Sequence, residues 1–262
     1  MSVVELPKPV ALAEFDVQDF PKGMVILPCH DLARYHQFTH DMLLLDVPHG
    51  TYPSVNRSCS VVQNMNMGVE QLLESDAAWA WVIGDDHAFN RDTVVRLLRH
   101  QVDVVVPLCT KRGPPFSLVL HDKTCGFDEY GRQLYNTIQF PELPDEDSGL
   151  FEVVAAGTAG MLIQRHVFEK LKPPWFENSD GQTVNEDMEF CRKVRRAGYK
   201  ILADPATSIG HTGIVTAWPK KVDGKWGLLL DLNGAAVFIA NGVNLEAPPE
   251  GDFKHGTLVR DG

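Results

Sequence analysis

Cysteine is scarce and scattered in this chain: Cys29, Cys59, Cys109, Cys125 and Cys191 are odd in number and form no Cys-x-x-Cys pair. That spacing excludes a disulfide framework and a structural zinc knot and fits a reducing cytoplasm, where the sequon Asn56-Arg57-Ser58 has no meaning. Long hydrophobic runs are missing as well. No apolar window approaches membrane-spanning length, and Met1-Ser-Val-Val-Glu-Leu-Pro-Lys-Pro lacks the basic start and continuous apolar stretch of a secretory signal. The expectation is a cytoplasmic protein with no membrane span. Positive charge is thin too: the net charge is −11 and no block of Lys/Arg stands out, which speaks against a broad nucleic-acid surface. The chain has no Gly-rich phosphate loop with a partner lysine and no internal repeat.

What is present supports one substantial core, since 44% of the 262 residues are hydrophobic. Met24-Val-Ile-Leu-Pro28 reads as a buried strand, the segment Asn66 to Leu73 has apolar residues at helical spacing, and Trp79 to Ile83 reads as the next strand. Asn90 is placed to cap a helix whose inner face holds Val94, Leu97 and Leu98, and Asp103-Val-Val-Val-Pro107 follows as a strand. This alternation predicts an α/β fold with mainly parallel strands and a ligand site beyond their carboxyl ends. Residues 141–147 read as a solvated acidic loop. Further on, Ala159 to Ile163 is a strand, Arg165 to Leu171 a short helix, and Asn185 caps a helix with Phe190, Cys191, Val194 and Ala197 inside. Lys200 to Ala203 is a strand, and Gly227 to Ile239 is a hairpin around Asn233-Gly234.

Chemistry concentrates where Trp79-Ala-Trp-Val-Ile-Gly ends in Asp85-Asp86-His87. Adjacent carboxylates repel and hold water, so a strand end that carries them presents them to a cation or a phosphate-bearing ligand. Strand periodicity turns Asp85 and His87 the same way and Asp86 the other. An Asp with a neutral His suits a borderline divalent ion such as Mn²⁺, with Mg²⁺ the alternative, better than Ca²⁺. Arg112, beside Lys111, has the planar fork to neutralise a phosphate.

These pieces in this order resemble a glycosyltransferase of the GT-A fold, in the broad superfamily that includes the family 2 enzymes. The matching residues are Pro28-Cys-His30-Asp31, Asn66-x-Gly68, Asp85-Asp86-His87, Gly157-Thr-Ala-Gly160, Asn185-Glu186-Asp187 and Gly210-His211-Thr, spanning roughly residues 24 to 213. The usual acidic motif of the family is Asp-x-Asp. Here Asp85-x-His87 is similar to the Asp-x-His variant of polypeptide N-acetylgalactosaminyltransferases, in which the His still binds metal.

The resemblance implies a GT-A (Rossmann-like) core at 1–211, with a mixed, mainly parallel sheet flanked by helices, and an irregular extension at 212–262. It implies a metal-dependent transfer of a sugar from a nucleotide-sugar donor, UDP-linked, to an acceptor hydroxyl. Asp85, His87 and His211 would hold Mn²⁺ or Mg²⁺. Pro28, His30, Asp31, Asn66, Asp86, Arg112 and Gly160 would bind the donor, with Asp86 on the ribose or sugar. Asp187 would be the base of an inverting reaction and Glu186 would support the acceptor, while the Asp-x-His variant is familiar from retaining enzymes, so stereochemistry stays open. A saccharide or small-molecule acceptor is favoured, with protein and modified DNA as the alternatives. Thr212 to Trp226 would serve as a lid whose tryptophans stack on the ligand, or the tryptophans anchor the tail to the core. The other readings are a nucleotidyltransferase or related sugar-nucleotide enzyme and a non-catalytic sugar- or nucleotide-binding module.

Overall fold

A computed structural model of the chain describes residues 16–29, 36–58, 60–112, 116–129, 133–178, 185–213, 216–231 and 236–240. The first half runs β1 (Met24–Cys29), α1 (His36–Leu44), β2 (Tyr52–Arg57), α2 (Val61–Glu74), β3 (Trp79–Val82), β4 (His87–Ala88), α3 (Thr93–Leu98) and β5 (Val104–Leu108). Then come β6 (Leu120–Phe127), β7 (Gln133–Thr137), β8 (Phe151–Val153), β9 (Ala155–Ala156), β10 (Met161–Gln164), α4 (Arg165–Lys170) and α5 (Glu186–Arg196). The chain continues through β11 (Ile201–Ser208), β12 (Gly210–His211), β13 (Thr216–Val222), β14 (Lys225–Asp231) and β15 (Ala236–Ala240). Among the described residues no helix is long and apolar enough to cross a membrane.

The central sheet has seven strands in the order β2-β1-β3-β10-β5-β11-β8. Strands β10 and β8 run against the other five, so the sheet is mixed and mainly parallel. Its strands are hydrophobic on both faces, as burial between two helical layers requires. Met24 and Ile26 of β1, Ala80 and Val82 of β3 and Met161 and Ile163 of β10 pack on one side with Met65, Val69 and Leu72 of α2 and Phe190 and Val194 of α5. The alternate residues Val25, Leu27, Trp79, Trp81 and Leu162 pack on the other side with Phe38 of α1 and Val94, Leu97 and Leu98 of α3. Period-2 alternation in the strands thus fills two cores from one sheet.

Two smaller antiparallel sheets adjoin it, β15-β14-β13-β12-β4 and β7-β6-β9. The first matters most for the site, because it joins the short β4 and β12 to the C-terminal strands. Thr216–Val222, inside the expected lid, is therefore a strand paired on both edges. Trp226 is buried and donates its indole N–H to the Pro144 carbonyl at 3.1 Å, so this tryptophan anchors the tail. The arms of the expected hairpin pair as β14 and β15, and Asn233-Gly234 lies outside the described residues.

The other strands and helices read from periodicity form with boundary shifts of a few residues. One cap moves: α3 starts at Thr93 after Asp92, and Asn90 contributes its carbonyl to the Thr93 N–H at 3.1 Å. Asp92 itself makes no cap hydrogen bond because its carboxylate is taken by Arg96, 2.8 Å away.

The packing of α2 on β1 is testable at Gly68. A Cβ there would lie 2.5 Å from Cγ2 of the fully buried Ile26. Alanine gains about 1 kcal/mol in helix propensity, but overpacking a core costs about 1–3 kcal/mol and the closeness of this contact puts it at the upper end. Gly68→Ala is therefore expected to lower the unfolding free energy by about 1–2 kcal/mol in urea titration. A stabilised variant would show that the interface yields freely.

Candidate functional site

Three chain segments leave the carboxyl ends of β3, β5 and β11 and meet. After β3, Ile83 still pairs with β1 through its N–H to the Ile26 carbonyl at 3.2 Å. Asp85 and Asp86 then form a turn, and His87 enters β4 in a different sheet. After β11, the Ile209 N–H binds the Leu108 carbonyl at 2.9 Å and the chain enters β12. The antiparallel register of β4 and β12 sets His87 directly opposite His211. Opposed residues project to the same face, and the two imidazoles stack with centroids 4.5 Å apart and planes 26° from parallel.

The turn alters the expected orientation of the acidic pair. Alternation holds only in an extended strand, and residues 85 and 86 are not extended. Asp86, expected to point away from the histidines, is the carboxylate that meets both: Oδ2 lies 3.0 Å from His211 Nε2 and Oδ1 3.2 Å from His87 Nδ1. Arg112 completes the contact with Nη1 3.0 Å from Asp86 Oδ2. Burial opposes charge on Asp86, but hydrogen bonds from His211 and His87 outweigh it and hold the carboxyl well below the usual range. Asp85 sits half-buried in the same turn.

The nitrogens of the two imidazoles meet different partners. His87 Nδ1 is 3.1 Å from the Gly84 carbonyl, which places its proton there, and Nε2 is buried with no hydrogen-bond partner. His211 faces acceptors with both nitrogens, the Thr110 carbonyl at 3.0 Å from Nδ1 and Asp86 at Nε2. His211 Nε2 donates to Asp86 Oδ2; when that proton leaves and the remaining ring proton sits on Nδ1, Nε2 and Oδ2 direct lone pairs at the same space, an arrangement that suits a shared cation. Cys109, just beyond β5, joins them: the ligand atoms of His87, Cys109 and His211 all lie within 4.8 Å of one another. The sequence pattern did not single out Cys109, although it follows a buried strand as the acidic motif does.

Asp187 lies at the start of α5, where its Oδ1 accepts the Met188 N–H at 2.7 Å. It stands near Gly157, whose ideal Cβ position is 3.6 Å from Asp187 Oδ2. Gly157 is tied to the Cys109 segment through Val119: the Gly157 N–H binds the Val119 carbonyl, and the Val119 N–H binds that of Cys109. Burial, then the neighbouring Glu186, raises the Asp187 carboxyl from 3.8 to about 6, against the pull of its backbone hydrogen bonds and of Lys111. Asn185 precedes the helix but makes no side-chain cap.

Other expected donor-binding residues stand elsewhere or are already engaged. Asn66 spends its amide on backbone: Oδ1 accepts from Trp175 and Phe176, and Nδ2 donates to Val62 and Phe176. It pins the loop that seats Trp175 and Phe176 in the core, where Phe176 stacks on Phe190 at 4.5 Å. Gly160, at φ +72°, is required by close packing, since a Cβ would meet Ile209 at 3.0 Å and Pro107 at 3.1 Å. Its carbonyl accepts the Trp81 indole N–H at 2.8 Å. Pro28 is a buried residue of β1, and His30 and Asp31 lie outside the described residues. Of Lys111, Arg112, Lys220, Lys221 and Lys225, the basic residues that a DNA acceptor would have to meet, Arg112 pairs with Asp86 and Lys221 with Asp145.

No protein-family model and no curated protein matches the chain. Solved structures do. The crystal structure of A197 from STIV aligns with a TM-score of 0.51 at 15% identity, over 83% of this chain and 93% of that one. That of GalNAc-T7 with UDP, GalNAc and Mn²⁺ aligns with a TM-score of 0.50 at 13% identity, over 78% of this chain and 44% of that one. The chain has a GT-A-like fold. At these identities the likeness concerns the fold, and this chain spans less than half of the GalNAc-T7 structure.

The raised Asp187 carboxyl has a consequence for stability. A carboxyl that holds its proton more tightly when folded contributes stability that is complete below 3.8 and lost as the pH climbs through about 6. Asp187→Asn stays neutral throughout. The unfolding free energy of the variant minus that of the wild type should therefore rise across this interval and level off above it, in urea titrations at a series of pH values. A difference that is flat with pH would show that the folded and unfolded carboxyls titrate alike.

Proposed function

We propose that this protein is a metal-dependent glycosyltransferase that moves a sugar from a UDP-linked donor to an acceptor hydroxyl. The observation that carries the reading is the opposed His87–His211 pair at the carboxyl ends of the sheet, with a buried, unpartnered Nε2 on His87 and Asp86 3.0 Å from Nε2 of His211. His87, His211 and Asp86 would hold a divalent ion, of which Mn²⁺ and Mg²⁺ are the expected choices and which is present in the GalNAc-T7 structure as Mn²⁺. Asp86 takes the place expected for Asp85 because its carboxylate is the one that contacts both rings. Bound there, the ion would supply positive charge to the diphosphate leaving group.

The chain's own groups cover the remaining steps. Arg112, more than half exposed and already turned to Asp86, offers its free N–H groups to the phosphates. Asp187, with a carboxyl near 6, is ionised at neutral pH yet basic enough to take the acceptor proton. The acceptor oxygen bonds to the anomeric carbon as the bond from that carbon to the diphosphate oxygen breaks, and the nucleoside diphosphate leaves with the electron pair. That route inverts the anomeric centre. Glu186, half-buried beside Asp187, would hold the acceptor. A saccharide or small molecule is the favoured acceptor, because the net charge is −11 and two of the five basic residues that would have to face DNA are paired with carboxylates.

Two measurements test this. UDP-sugar turnover should disappear in EDTA and return with a divalent ion, and His211→Ala should weaken metal and donor binding together in calorimetry. Full turnover in EDTA would overturn the metal dependence. Asp187→Asn should lower turnover by roughly 10²–10⁴ with donor affinity unchanged. Near-wild-type turnover would place the base elsewhere or make the enzyme retaining. Transfer assays with saccharide, protein and hydroxymethylated-DNA acceptors at two salt concentrations complete the set, and salt-sensitive transfer to DNA alone would overturn the acceptor preference.

A further inference from the structure

We infer that Cys109 is a metal ligand, so that the centre carries a thiolate and takes a thiophilic ion such as Zn²⁺ or Co²⁺ in preference to Mg²⁺ or Mn²⁺. The inference rests on the metal centre proposed above and concerns its donor set and its ion.

The first argument is position. Cys109 is fully buried at the carboxyl end of β5, and its ligand atom lies within 4.8 Å of those of His87 and His211. A tetrahedral ion with metal–nitrogen distances of about 2.0–2.1 Å and a metal–sulfur distance of about 2.3 Å has edges of roughly 3.3–3.6 Å, so small side-chain rotations bring the three atoms onto one ion. Backbone geometry aims them there. The Cys109 carbonyl receives the Val119 N–H at 3.1 Å, while the carbonyl of the next residue, Thr110, receives His211 Nδ1 at 3.0 Å and orients that ring. One short segment therefore places the thiol and sets the tautomer of the imidazole.

The second argument is the unmet demand of the neighbour. His87 is 5% exposed and its Nε2 has no hydrogen-bond partner. A buried cysteine is ordinarily a small apolar filler. Two imidazoles and the Asp86 carboxylate are surroundings that apolar filling does not require. His87, Cys109 and His211 form a donor set of two nitrogens and one sulfur, and an oxygen of Asp86 lies 3.0 Å from His211. Thiolate favours Zn²⁺ and its relatives, whereas Mg²⁺ and Mn²⁺ favour oxygen. Zn²⁺ also accepts a fifth ligand, which leaves a position for a donor oxygen. On binding, the thiol proton passes to solvent.

Cobalt titration of the full-length, reduced, EDTA-treated protein reads the donor set without any activity. The wild type should bind one Co²⁺ with visible d–d bands and a near-ultraviolet sulfur-to-cobalt charge-transfer band, and excess Mg²⁺ should not displace it. Cys109→Ser and Cys109→Ala should keep the d–d bands at weaker affinity and lose the charge-transfer band. Visible bands without charge transfer in the wild type, or a charge-transfer band that persists in both variants, would overturn the thiolate and leave the metal centre standing. No cobalt binding at all would overturn both. Should the variants fail to fold, X-ray absorption of the Zn²⁺-loaded wild type decides the matter, with one sulfur at about 2.3 Å in support and a shell of nitrogen and oxygen alone against.

Discussion

The candidate site hangs on the antiparallel pairing of β4 with β12, two residues on each side, which sets His87 against His211 and Ala88 against Gly210. A slip of one residue would turn His211 to the opposite face and dissolve the pair. Neighbouring contacts guard the register. The Thr212 N–H binds the Asp86 carbonyl at 2.7 Å, and the Ile209 N–H binds the end of β5. Gly210 lets Thr216 and Trp218 of β13 close over the strand, since a Cβ there would stand 2.8 Å from each. The C-terminal strands thereby brace the site from behind.

The two carboxylates that matter are driven apart electrically by their surroundings. Asp86 faces two imidazoles and a guanidinium and is held ionised despite its burial. Asp187 is partly buried beside Glu186 and keeps its proton to about pH 6. Carboxylates with divergent titration can serve different chemistry, which is the basis of the parts proposed for Asp86 and Asp187. The net charge of −11 says nothing of this, because the contacts that decide it span a few ångströms and are weakly screened.

Much of the architecture was legible along the chain. Period-2 and helical spacing located β1, β3, β5, β10, β11 and their helices, because each of these elements buries an unbroken apolar face in one of two cores. The strand within Thr212 to Trp226 was not legible for the opposite reason. Strand β13 alternates a buried Ala217 and Pro219 with polar residues and a Trp, so its apolar face is short and broken. Strand β6 is mostly exposed and β7 mostly half-buried, and both carry little hydrophobic signal for the same reason.

The sequence by itself determined the fold class, the acidic motif at the end of a buried run and the loop histidine, because burial patterning and strand-end polarity are local properties written residue by residue. Tertiary structure alone decided the rest. It chose Asp86 as the carboxylate that meets the histidines, because a turn broke the alternation on which the reading of Asp85 depended. It brought Cys109 beside two imidazoles, and it gave Asn66 to the backbone of Trp175 and Phe176. Such choices depend on which distant strands hydrogen-bond and in what register, and neither is recorded in the spacing of residues along one chain.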